Sequence, residues 1–133
     1  MTYLLDTNTC IRYLNGRSPQ IRSRLQSLTP EDVVLCSVVK AELHYGAARS
    51  RNPERTLTRI AEFVSPFTSL PFDDSVAHAY GQIRAQLEQA DMPIGPNDLM
   101  IATIALTHGL TLVTHNTREF KRVPGLSLAD WEA

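Results

Sequence analysis

Asp6, Glu42, Asp98 and the carboxamide of Asn116 are the side chains of this chain best suited to act together. Asp6 closes the apolar run Tyr3-Leu4-Leu5, where Thr7 or Asn8 could cap a following helix equally well. Glu42 lies about 200° around a helix from Lys40, on the side of Val39 and Gly46, whereas Lys40, His44, Ala47 and Arg51 share a face that reads as exposed. A carboxylate turned from solvent is costly to leave alone. Asp98 follows Pro96-Asn97 and shares its helical face with the small residues Ala102, Ala105 and Gly109, which let a helix lie close to a sheet. Each acid also has a plainer reading. Glu42 could bond backbone amides or an arginine, and Asp98 could serve only the helix dipole or a cap. Gathered at one place, however, carboxylates raise one another's pKa unless a cation neutralises them. Hard oxygen donors select Mg²⁺ or Mn²⁺, which keep waters and open positions for a phosphate. Sites of that kind activate a water against a phosphodiester and stabilise the leaving oxygen.

The elements that must position these groups alternate. Tyr3–Leu5 reads as a short strand, followed by a helix through Ile11, Tyr13 and Leu14 that stops at Asn15-Gly16, and by a second helix from Gln20 to Leu28. Val33–Cys36 is β-branched and apolar, and Ser37 is placed to cap a helix toward Ser50. Pro53 opens another helix, Phe67–Phe72 is extended, and Asp73 or Asp74 caps a long helix to Ala90. After the Pro93-Ile94-Gly95-Pro96 loop come a helix over 97–108, a strand over 110–114, a short helix over 118–121 and a last strand near Leu126. Short apolar strands alternating with helices predict an α/β fold whose parallel sheet is covered on both faces. In such sheets function gathers beyond the carboxyl ends of the strands. Asp6, Glu42, Asp98 and Asn116 all map to that edge.

Composition narrows the alternatives. A chain of 133 residues that is 43% apolar predicts one domain, residues 1–133, with a core of its own. No apolar run approaches the ~18 residues of a membrane span, and Asp6 interrupts any signal peptide, so a cytoplasmic protein is expected. Cys10 and Cys36 match no disulfide framework or zinc motif and read as buried thiols. The net charge of −1 argues against a dedicated DNA-binding domain, yet eleven of the thirteen basic residues are arginine, which suits phosphate. The four histidines fall in no zinc pattern, and neither a phosphate-binding Gly-Lys loop nor a Gly-x-Ser-x-Gly elbow is present.

The text around the acids resembles the PIN-domain ribonucleases and, within them, the VapC toxins of bacterial toxin–antitoxin pairs. The resemblance runs through Tyr3-Leu4-Leu5-Asp6-Thr7-Asn8, Ser37 to Leu43 with Tyr45-Gly46, Pro93 to Asp98, and Leu112 to Phe120, which spans essentially the whole chain. It implies a three-layer α/β/α sandwich on a central parallel sheet and Mg²⁺- or Mn²⁺-dependent cleavage of single-stranded or looped RNA. Asp6, Glu42 and Asp98 would hold the metal, and Asn8 and Thr114 would support them. Asn116 stands where many members carry a fourth acid, a departure that bears on whether a second metal is held. The resemblance further implies a homodimer and a small VapB-like antitoxin that occludes the acidic groove. The Pro-Ile-Gly-Pro loop and the Asn116 to Phe120 segment resemble the enteric VapC branch, which cuts initiator tRNA in the anticodon loop. Arg12, Arg17, Arg118 and Arg122, close in sequence to Asp6 and Asn116, are the expected phosphate contacts.

Three rivals stay in view. A phosphotransfer receiver domain would want paired acids after the first strand, where this chain has Thr7 and Asn8. A haloacid-dehalogenase-like phosphatase would want a second acid in Asp6-Thr7-Asn8-Thr9. A PIN-like module that binds but no longer cleaves is the rival that Asn116 favours.

Overall fold

The structure, a computed structural model, describes residues 1–133. In chain order the elements are β1 (Tyr3–Leu5), α1 (Thr7–Leu14), α2 (Pro19–Ser27), β2 (Val33–Cys36), α3 (Ser37–Ala48), α4 (Pro53–Val64), β3 (Thr68–Leu70), α5 (Asp74–Gln89), α6 (Pro96–Thr107), β4 (Thr111–Val113), α7 (Thr117–Phe120) and β5 (Ser127–Ala129). A single 3₁₀ turn, Pro30–Asp32, leads into β2. No helix is long and apolar enough to cross a membrane.

All five strands are parallel, in the order β3-β2-β1-β4-β5. The chain therefore starts in the middle of its sheet, builds outward to β3, then crosses back to lay β4 on the other side of β1. Right-handed crossovers put the helices of these two journeys on opposite faces, which gives the expected α/β/α layers. The central strands show why they sit inside: Leu4, Leu5, Leu35 and Leu112 are fully buried and β4 has no exposed residue. The edge strands are three residues long and expose Thr68, Ser69 and Ser127, a composition that discourages pairing with another sheet.

Two helices carry most of the positioning. α6 is buried all round from Ile101 to Ala105, so its first turn, with Asp98, is held by a helix wedged into the core. α3 buries Val39, Leu43 and Ala47 at i, i+4 and i+8, and it packs on β2, α1 and α4. The exposed face expected for α3 is corrected on one residue: Ala47 is fully buried while His44 and Arg51 are exposed. Alanine fits either environment, and the rigid join of β2 to α3 decides which side faces the core. Likewise Cys36, not Ser37, is the cap residue, with no side-chain cap bond; Ser37 is the first helical residue and donates to the Leu70 carbonyl. Asp73 caps α5 as expected, accepting from the Val76 amide at 3.1 Å.

The C-terminal tail closes the sheet's far side. Trp131 is 7% exposed, meets Tyr3 edge-to-face at 5.3 Å and lies under the Arg24 guanidinium at 5.3 Å. Its indole N–H has no partner. Trp131→Ala should cost about 3 kcal/mol of unfolding free energy, as burial of a large aromatic implies. Trp131→Phe should cost clearly less, because it keeps the ring and removes the unpaired donor. Urea unfolding of the two variants checks the pair, and equal losses would contradict this account of the tail.

Candidate active site

The sheet reverses its direction of growth between β1 and β4, and the chain leaving β1 opens there. The Asp6 amide still donates to the Val113 carbonyl at 3.1 Å, extending the β1–β4 ladder by one residue. The Asp6 side chain then turns into the α1 N-terminus and accepts from the Thr9 amide at 2.8 Å. Asp6 is therefore a true helix cap as well as a candidate ligand, which the sequence reading did not expect. It is 4% exposed. Burial raises its pKa and the Glu42 charge adds to that, while hydrogen bonds from Thr114 and Thr9 pull it back down.

Glu42 comes from the second turn of α3 and is half-buried. Its Oε1 accepts from the Thr7 hydroxyl and its Oε2 from the Asn97 carboxamide at 3.4 Å. The glutamate thus ties α3 to the first turns of α1 and α6. Asp98 occupies the first turn of α6 and makes no cap bond: Gly95, the cap residue, has no side chain, and its amide donates to Glu119 instead. Its pKa is pushed up to about 6, first by burial and then by the charges of Glu119, Glu42 and Asp6. The helix N-terminus favours the charged form, and the surrounding carboxylates oppose it.

These groups share one groove of about 770 Å³, lined among others by Asp6, Thr7, Asn8, Glu42, Asn97 and Asp98. A second hollow adjoins at Asp6 and Asn8 and runs past Arg12, His115, Asn116 and Glu132. Thr114 is fully buried at the end of β4; its hydroxyl holds Asp6 and accepts from the Asn116 amide at 3.0 Å. Asn116 turns its carboxamide to Glu119, donating to Oε2 at 3.0 Å, while Glu119 Oε1 accepts from the Gly95 amide at 3.2 Å. Glu119 is the residue that sequence reasoning missed. Among the neighbouring charges it acts most strongly on Asp98, so a fourth acid stands beside the site one helical turn after Asn116. The signal was present, because residues three apart on a helix are neighbours.

The expected phosphate contacts are dispersed. Arg12 borders the second hollow, but its guanidinium is engaged by Glu132 at 2.8 and 3.0 Å. Arg122 donates to the Pro93 carbonyl and braces the loop before α6. Arg17 and Arg118 are exposed and do not line the acidic groove. The arginine that does line it is Arg49. His115 pairs with Asp130 at 3.0 Å. Cys10 and Cys36 are free and buried, and burial pushes both thiols up, Cys10 strongly, which leaves them unreactive.

The donor set fits a hard divalent cation in kind. Asp6, Glu42 and Asp98 offer only oxygen, they repel one another, and none forms an ion pair with a basic side chain. No three acidic, histidine or cysteine side chains are yet closed around one point. Glu42 spends both oxygens on Thr7 and Asn97 and would have to exchange one of those bonds for a metal.

The sequence matches the PIN domain over residues 3–126. It is 41% identical over 131 residues to the tRNA(fMet)-specific endonuclease VapC of Salmonella typhimurium and 44% identical over 131 residues to that of Shigella flexneri, covering 98% of each chain. It is 37% identical over 133 residues to the ribonuclease VapC2 of Rickettsia felis, covering 99% of both chains. Among solved structures, the fold superposes on the DNA-bound VapBC complex of S. typhimurium with a TM-score of 0.92, at 41% identity and 98% coverage of both chains. The R. felis VapBC2 complex bound to a promoter fragment gives 0.90 at 36% identity, covering 98% of this chain and 99% of that one.

Two stability measurements follow from the site. Because the folded Asp98 binds its proton more tightly than an unfolded aspartate, metal-free protein should gain stability from this group as pH falls through about 6 toward 4. Asp98→Asn should therefore melt above the parent chain at pH 7.5 in EDTA, with the gap closing toward pH 5. A variant less stable than the parent at pH 7.5 would show that Asp98 serves packing or capping instead. At Asp6 the two roles separate by substitution. Asp6→Asn keeps an acceptor for the Thr9 amide and should fold normally, whereas Asp6→Ala also loses a cap that contributes about 1 kcal/mol. Equal unfolding midpoints for the two would argue that the cap contributes nothing.

Proposed function

This chain belongs to the PIN-domain family, in its VapC branch, and from that premise we propose that it is a Mg²⁺- or Mn²⁺-dependent endoribonuclease, the toxin of a toxin–antitoxin pair. The observation that carries the reading is the convergence of Asp6, Glu42 and Asp98 on one groove at the point where the sheet reverses its growth. Three unpaired carboxylates are an unfavourable arrangement for a metal-free fold and a good one for a cation that must also meet a phosphate.

In this reading Asp6, Glu42 and Asp98 hold the ion, which when bound polarises the phosphodiester and lowers the pKa of a water. The chain's own residues do the rest. Thr9 and Thr114 fix the Asp6 carboxylate at the floor of the groove, and Thr7 and Asn97 set the orientation of Glu42. Glu119, with Asn116 on one oxygen and the Gly95 amide on the other, places a further negative charge beside Asp98. It can accept a proton from an attacking water or support a second ion where Asn116 offers only an amide. Of the four arginines expected on flanking phosphates, the exposed Arg17 and Arg118 are assigned to phosphates beyond the groove, whereas Arg12 and Arg122 are already held by Glu132 and the Pro93 carbonyl. The substrate is assigned to initiator tRNA because relatives 41% and 44% identical are tRNA(fMet)-specific endonucleases. A VapB-like antitoxin is assigned as partner because the superposing structures are VapBC complexes. A homodimer acting in the cytoplasm belongs to the same reading.

Purified chain free of any partner should cut total bacterial RNA into discrete fragments with Mg²⁺ or Mn²⁺ and none with EDTA. Asp6→Asn, folded by circular dichroism, should lose at least about 100-fold of that activity, since even an outer partner of a metal ligand is worth 10–100-fold. Glu119→Gln should fall between the two. Metal-independent fragments, or full activity in Asp6→Asn, would refute the metal site. Binding of RNA with no cleavage under any condition would favour the binding-module reading instead.

A further inference from the structure

Glu42, Tyr45, Gly46 and Arg49 follow one another at helical spacing along α3, and all four line the acidic groove. The stripe leads from the carboxylates at one end to an aromatic ring and a guanidinium at the other. Tyr45 is 63% exposed, although it stands in the wall of the largest concavity on the molecule. The Arg49 guanidinium lies 5.1 Å from the centroid of that ring, and its Nη1 donates to the phenol oxygen at 3.3 Å. The next residue is a mid-helix glycine that packing does not require, since a Cβ there would meet nothing within 4 Å. Glycine at such a position weakens a helix relative to alanine. What it does leave is open space in the groove beside the ring.

We propose that Tyr45, backed by Arg49 and with Gly46 leaving room beside it, is a stacking subsite for one unpaired nucleobase next to the bond that is cleaved. The proposal rests on the ribonuclease reading and deepens it. It requires a single-stranded or looped substrate, because only an unstacked base can leave its helix to lie on a protein aromatic. An exposed tyrosine accepts any base face, and an arginine held against its other side adds cation–π attraction without blocking the outer surface. The subsite would thus position RNA and set the distance from the stacked base to the cut, while the carboxylates do the chemistry. A phosphate alone would not need the ring, and a purely apolar partner would not need the arginine.

The test uses the full chain and the anticodon stem-loop of initiator tRNA, with abasic variants at each loop position. Tyr45→Ala should raise KM about tenfold or more while kcat changes less than about twofold, and Tyr45→Phe should stay close to the parent chain. In the parent, one abasic position should weaken binding by a similar factor, and Tyr45→Ala should be insensitive to that same position. If Tyr45→Leu restores affinity as fully as Tyr45→Phe, or if no abasic position is silenced in Tyr45→Ala, the stacking subsite is wrong. Loss of inhibition by the antitoxin with unchanged RNA affinity would also overturn it, assigning the ring to a protein contact. A parent chain that binds with the expected abasic pattern but cuts nothing would keep the subsite and defeat the ribonuclease reading.

Discussion

The fold depends on how it accommodates one buried carboxylate. Asp6 sits where β1 must part from β4, with its backbone amide still in the ladder and its side chain already capping α1. A cap is an ordinary use of aspartate, but this one is almost fully buried and lies within reach of the Glu42 charge. Two hydroxyl-bearing residues, Thr9 and Thr114, supply the bonds that make this tolerable. Removing charge from water is costly, and hydrogen bonds recover only part of that cost. The remainder is what a cation in the groove would relieve.

The other acids are built around that point with the same economy. α6 is buried on every side over Ile101–Ala105, so it fixes Asp98 rigidly but gives it no basic partner. Glu42 is held by Thr7 and Asn97, neutral groups that orient a carboxylate without neutralising it. The basic residues that do pair with acids do so elsewhere: Arg12 with Glu132 in the tail, Arg84 with Glu88 along α5. A fold selected for stability alone would have paired its buried acids first. Leaving them unpaired fits a site in which strain is retained for function.

Much of this was legible in the sequence, and the reasons are local. Apolar strands ending in a polar residue, prolines at first helical turns and Gly109 after α6 are signals carried by adjacent residues, and each element lies within a residue or two of its expected place. The acids were legible because Asp6 follows a strand, Asp98 opens a helix and Glu42 rides the helix that leaves β2, all toward the same sheet edge. What was not legible depends on which way a side chain turns. The burial of Ala47, the capping role of Asp6 and the binding of Arg12 to a glutamate 120 positions away need the assembled fold. Glu119 was hidden by its neighbour, since Asn116 occupies the more obvious position after β4. Tyr45 and Arg49 were hidden because an exposed aromatic cannot be told from a buried one until the core face of α3 is known.

The proposed site stands on Asp6, Glu42 and Asp98 acting together on one cation. Its most direct measurement is Mn²⁺ binding followed by electron paramagnetic resonance, on the parent chain and on Asp6→Asn, Glu42→Gln and Asp98→Asn, with folding monitored alongside. Saturable binding by the parent and a marked loss in each folded variant are expected, since each substitution removes one carboxylate charge from the same ion. Undiminished binding in all three variants would place any metal elsewhere and leave the carboxylates as structural groups.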